Sequence, residues 1–164
     1  MKKHILPILA GLWPYLLFAV FLYIRLAHTE PPAPVSLIPV ICVGCILLFA
    51  PVLFLICLLW GVKAQTPSTA LLAKWNLTVK LAHIPYYLAI FFLFLVLPVF
   101  AAFFFIFDVM ALVAGNGFGI AAILRLRREE MLSARETVLH VISHCFFVSD
   151  VISAFLIYRK SKNS

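Results

Sequence analysis

"LAHIPYYLAIFFLFLVLPVFAAFFFIFDVMALVAGNGFGIAAIL", residues 81–124, is a block of 44 residues whose reading decides the fold. As one straight helix it would be roughly 66 Å long, about twice the thickness of a bilayer's hydrocarbon core. The block is therefore expected to turn, and Pro98 with the small pair Ala101-Ala102 offers the place. That gives helices over 82–99 and 103–124.

Three other apolar blocks lie outside it, at 5–27, 36–62 and 137–158. Each is near the ~20 residues that a crossing helix needs. The first is about twice as long as the apolar core of a signal peptide, so it reads as a first transmembrane helix. Ser133 and Glu136 form a capping box that opens the last helix at 134. The chain reads as one all-α domain over 1–164, a polytopic transmembrane bundle of five helices: 5–27, 36–62, 82–99, 103–124 and 134–158. An amphipathic helix over 67–80 lies on the inner membrane surface, with Leu71, Leu72, Trp75 and Val79 opposite Lys74. If the 81–124 block does not cross twice, the count falls to four.

Composition agrees. The chain of 164 residues is 65% hydrophobic and 12% charged, with sixteen Phe, and its mean hydropathy is +1.14. A soluble fold of this size has no way to cover so much apolar surface. The net charge of +7 is gathered beside the apolar runs, which suits lipid headgroups rather than nucleic acid. With the N-terminus cytoplasmic, Lys2, Lys3, Lys63, Lys74, Lys80, Arg125, Arg127, Arg128 and Arg135 lie inside. Arg25, Arg159, Lys160 and Lys162 then lie outside, nine against four of the 13 basic residues. The basic C-terminus is the discordant part. The expected place is a plasma membrane, multi-pass, with the lipid bilayer as surroundings.

Polar residues inside apolar helices are the functional candidates. Asp150 falls about 3 Å and Asp108 about 7 Å outside the midpoints of consecutive, oppositely directed helices. Two ionised carboxylates at one depth repel, so at least one is expected protonated unless a cation intervenes. Arg25 is the expected cation, pairing with Asp108 beside a protonated Asp150. His83, His140, His144 and Asn116 continue a polar track toward the inner side. Such a track is either a proton or ion pathway or a set of interhelical bonds, and the second reading is taken first. Ala111, Gly115 and Gly119 recur every four residues and read as a stripe that lets a helix pack closely.

Cys42 and Cys45 form a C-x-x-C in the second apolar block. The pattern is similar to that of quinone-linked disulfide-generating membrane proteins, which implies a redox pair. The following Arg and the second cysteine pair of those proteins are missing here. No nucleotide-binding, P-loop or zinc motif occurs, and neither cofactor nor metal is expected.

Three stretches carry a second likeness: "KLAHIPYYLAIF" (80–91), "GNGFGIAAILRLRREEMLS" (115–133) and "FFVSDVISAFLIYRK" (146–160). Over about residues 75–160 the chain resembles a group of small uncharacterised integral membrane proteins of Gram-positive gut bacteria. The resemblance implies a bacterial plasma membrane and a helix bundle, and it brings no catalytic residues. The expected function is therefore non-enzymatic, an accessory or regulatory subunit acting through helix–helix contacts with a membrane partner or a second copy. The alternatives are a proton- or ion-coupled transporter or channel using Asp108 and Asp150, and a membrane thiol-disulfide oxidoreductase using Cys42 and Cys45.

Overall fold

The computed structural model describes residues 5–27, 37–64, 67–97 and 101–162. Within these, the side chains of Arg25, Cys42 and residues 101–104, among others, lie outside the described set. Six helices and no strand occur among the described residues: α1 (Ile5–Ala27), α2 (Leu37–Lys63), α3 (Thr69–Val96), α4 (Ala101–Arg128), α5 (Ala134–Ser143) and α6 (Phe147–Ser161). The fold is all-α. The long apolar block divides between Val96 and Ala101. Pro98 itself lies outside the described residues.

Two elements differ from the sequence expectation. The surface helix over 67–80 and the crossing over 82–99 are one helix, α3, capped by Ser68, whose hydroxyl accepts from the Leu71 N–H. Its first half packs into the bundle. Leu72, Trp75, Asn76, Val79 and Lys80 are all buried in the bundle, and this packing carries the helix on through Pro85. The block expected as one helix over 134–158 is two, α5 and α6, broken at residues 144–146.

α5 and α6 fold back on one another. Lys160 Nζ meets Glu136 Oε1 at 2.9 Å, His140 Nδ1 meets Ser153 Oγ at 2.8 Å, and His144 Nδ1 meets Asp150 Oδ1. These pairs converge step by step on the turn, as the two arms of an antiparallel hairpin must. The arms are 10 and 15 residues long, or about 15 and 22 Å. Neither spans a hydrocarbon core of about 30 Å.

The other helices alternate in direction. α3 and α4 run antiparallel, from Thr69 Oγ1 donating to Glu129 Oε1 at 2.5 Å to Lys80 bonding Asn116. α2 runs parallel to α4, with Gly61 beside Ala121 and Gly117 beside Cys57. α1 runs parallel to α3, with Gly11 facing Ala82 and the Tyr15 hydroxyl donating to the Ala82 carbonyl at 2.5 Å. Arg125 ties one end of the bundle by donating to the carbonyls of Pro67, at 2.5 Å, and Ala64. The aromatic centre is Trp60 stacked on Trp75 at 5.7 Å, with Phe118 edge-on to both.

Two helices, α3 and the Phe105–Arg128 part of α4, are long and apolar enough to cross a membrane. Of their most apolar windows, 67% is buried in α4 but only 28% in α3. α4 is thus the central helix, and α3 turns most of its apolar length outward.

The α2–α4 contact depends on a missing side chain. A Cβ at Gly117 would lie 2.6 Å from Cys57 Cβ and 2.7 Å from the Phe54 carbonyl oxygen, where backbone must move to admit it. At Gly44, also in α2, a Cβ meets nothing within 4 Å. Gly117→Ala should therefore destabilise by about 1–3 kcal/mol through overpacking. Gly44→Ala should stabilise by up to about 1 kcal/mol through helix propensity. Thermal unfolding in detergent checks both, and equal effects at the two positions would contradict the close contact.

Candidate functional site

Charge burial marks the site. Lys80 has no exposed surface and Asp150 only 1%. Lys80 Nζ lies 2.5 Å from Asp150 Oδ2. The same ammonium donates to Asn116 Oδ1, and Asp150 Oδ1 accepts from His144 Nδ1. Asn116 Nδ2 donates to the His144 carbonyl at 2.8 Å. Three elements thus meet in one cluster: α3 through Lys80, α4 through Asn116, and the hairpin through His144 and Asp150.

The cluster also satisfies the hairpin's turn. A helix that ends inside a protein leaves carbonyls without intrahelical partners. Here the His144 carbonyl is taken by Asn116, and the Ser143 and Phe146 carbonyls by the Ser149 hydroxyl at 2.9 and 3.2 Å. The Asp150 N–H donates to the Phe146 carbonyl at 2.8 Å.

Small residues make the room. A Cβ at Gly119 would stand 2.7 Å from Asn76 Oδ1 and 2.8 Å from His144 Nε2. A Cβ at Gly115 would stand 3.1 Å from the His83 ring and 3.3 Å from Lys80 Nζ. The Gly115/Gly119 stripe faces the polar side chains of α3 and the hairpin, inside the chain, while Gly117 serves the close helix contact. Ala111, fully buried, packs in a second cluster with Tyr86, Ile90 and Phe107.

The polar track of the sequence is gathered only in part. Asn116, His144 and Asp150 come together. His83 lies at their edge, its Nε2 2.9 Å from the Ala10 carbonyl of α1. His140 pairs with Ser153 within the hairpin. Asp108 is elsewhere, half-buried, and its Oδ1 has no hydrogen-bond partner among the described residues. The expected Arg25–Asp108 pair lies outside the described residues. The cation beside Asp150 is Lys80. By its sequence Lys80 reads as a headgroup-facing charge; the bundle instead buries it, with Asp150 and Asn116 as its partners. Cys45 is an exposed free thiol in α2.

Lys80 and Asn76 are the residues that sequence reasoning missed. Asn76, Lys80 and His83 recur at helical spacing on one stripe of α3, and all three are fully buried. Asn76 is buried beside Gly119 with neither amide atom hydrogen-bonded among the described residues.

Fold and site together define an all-α bundle that holds a returning C-terminal hairpin by a buried ion pair. The chain matches the Family of unknown function (DUF6652) over residues 3–163 and belongs to that family. No curated protein and no solved structure matches it.

Removing one member of a buried pair strands the other charge, whereas replacing both with apolar groups does not. Lys80→Met should lower stability by about 3–5 kcal/mol, and Lys80→Met with Asp150→Leu should recover most of that loss. Thermal unfolding of the single and double variants tests this. A double variant whose loss is the sum of the two single losses would contradict the pairing.

Proposed function

We propose that the chain is a non-enzymatic, multi-pass membrane protein of the ion- or proton-coupled carrier class. In this reading α1 to α4 cross the bilayer and α5–α6 is a re-entrant hairpin entering from the cytoplasmic side. Both termini are then cytoplasmic, in keeping with a bacterial plasma membrane. The orientation draws support from charge. With Lys80 left out because the bundle buries it, returning the chain to the inner side moves Arg159, Lys160 and Lys162 inside, and eight against four becomes eleven against one, with Arg25 alone outside.

The carrying observation is the hairpin fixed halfway along the bundle by Lys80, Asp150 and His144. A straight helix over 134–158 would satisfy its own backbone in lipid. A hairpin requires a buried charge pair and three carbonyl bonds to do the same. Such backbone at membrane depth is tolerated where it is buried in protein or lines a cavity. A cavity of about 650 Å³ does adjoin the hairpin, between α3, α4 and α6, with Asp108 in its wall.

The accessory reading has less support. Two elements that would serve such helix–helix contacts, the Gly115/Gly119 stripe and the Trp75 face, are occupied within the chain itself. Asp108 and Asp150 also divide in role. Asp150 is a structural ion, and Asp108 is the acid left to act.

Two measurements test the reading. A cytoplasm-only fluorescent reporter fused after the C-terminus should light, and a dark fusion that an external protease removes would contradict the hairpin topology. Vesicles reconstituted with the folded protein should dissipate an imposed pH gradient faster than empty vesicles, and Asp108→Asn should abolish the difference. Vesicles no leakier than empty ones would overturn the carrier role.

A further inference from the structure

The hairpin stops short, and above its turn the outer halves of α3 and α4 are left uncovered. The space is the cavity of about 650 Å³, walled by Tyr87 and Phe91 of α3, Phe105 and Asp108 of α4, and Phe147 and Val151 of α6. Its volume falls in the range that holds drug-sized ligands, roughly 300–1,000 Å³. Phe91 and Phe105 are 56% and 62% exposed, so the cavity opens sideways toward what the bundle reads as lipid.

One charged group stands among the described lining residues, the carboxyl of Asp108. Its Oδ1 is buried and has no hydrogen-bond partner among the described residues, and the Tyr87 hydroxyl beside the same space is likewise buried and unpartnered. The buried ammonium of Lys80 is already engaged by Asp150 and Asn116. A carboxyl in an apolar wall whose Oδ1 has no partner among the described residues is relieved by a proton or by a positive partner. A bare metal ion does not fit, because hard cations need several oxygen ligands and the walls here are hydrocarbon. An acyl chain would fill the walls but leave the acid without a partner. The remaining chemistry is an organic cation whose apolar substituents fill the cavity. Aromatic faces add to this, since they attract cations at short range.

We infer that the cavity between α3, α4 and α6 is a binding site for a free lipophilic cation, an amine or onium with aromatic or alkyl substituents, with Asp108 as its counter-ion. Tyr87, Phe91 and Phe105 supply the aromatic faces. The cation enters from the side, between α3 and α4. The inference rests on the membrane reading but does not need carriage.

Equilibrium dialysis of radiolabelled tetraphenylphosphonium against the full chain in detergent micelles tests it. The wild type should bind saturably at one site per chain. Asp108→Asn should weaken binding about tenfold or more, a change of about 1.4 kcal/mol or more, while Asp108→Glu retains it. Val151→Trp, which fills the cavity and keeps the acid, should also block binding. Thermal unfolding of each variant shows that it is folded; Asp108→Asn should be, because Oδ1 has no partner to lose among the described residues. Folded wild type without saturable binding, or Asp108→Asn binding as tightly as wild type, would overturn the inference. A chain that binds the cation yet leaves vesicles proton-tight would overturn carriage and leave this site standing. Leaky vesicles with no cation binding would overturn the site alone.

Discussion

An ammonium and a carboxylate with almost no exposed surface, 2.5 Å apart, form the contact on which the C-terminal hairpin of this protein depends. Isolated, each charge would be very costly to bury. Together, and with Asn116 bonded to the ammonium and His144 to the carboxylate, they hold a hairpin against α3 and α4. Without that cluster, the apolar run 137–158 has an alternative that satisfies every backbone group, a single helix. The pair therefore selects between two folds of the same segment. Its contribution is to specificity of structure at least as much as to stability, a role that buried ion pairs fill in some systems.

The same constraint shapes the rest of the bundle. Three side chains of α3, at Asn76, Lys80 and His83, need room beside α4, and Gly115 and Gly119 supply it. α4 consequently carries two kinds of glycine. Gly117 admits the backbone of α2, while Gly115 and Gly119 admit polar side chains from α3 and the hairpin. Because the hairpin ends at the level of this cluster, it leaves the cavity above it, and Asp108 stands in that cavity's wall. The two acids thus meet opposite circumstances: Asp150 has two partners, and Asp108 Oδ1 has none among the described residues.

Much of this is legible in the sequence, for reasons that can be stated. The 81–124 block is too long for one crossing, so its division follows from length alone. Asn116, His144 and Asp150 stand out because hydrocarbon tolerates few polar residues. Lys80 is hidden by the habit of counting lysines as loop charges, although its spacing with Asn76 and His83 marks a polar stripe. The hairpin is hidden more deeply. No Pro or Gly interrupts residues 137–158, so local pattern favours one helix, and only partners on α3 and α4 decide otherwise. One sign of it is available: Arg159, Lys160 and Lys162 are discordant with the reading of five crossings.

The fold of the last segment is the central claim, and the distance between its two ends tests it most directly. Arg135 and Arg159 are both exposed and lie near the two ends of the hairpin. Spin labels at these positions, in a chain freed of its native cysteines, report their separation by pulsed electron resonance. Adjacent antiparallel helices pack about 8–10 Å apart, so the labels should lie within about 20 Å of one another. One continuous helix would hold the same 24-residue interval about 36 Å apart. A distribution centred near that longer distance would contradict the hairpin, and with it the role given to Lys80 and Asp150.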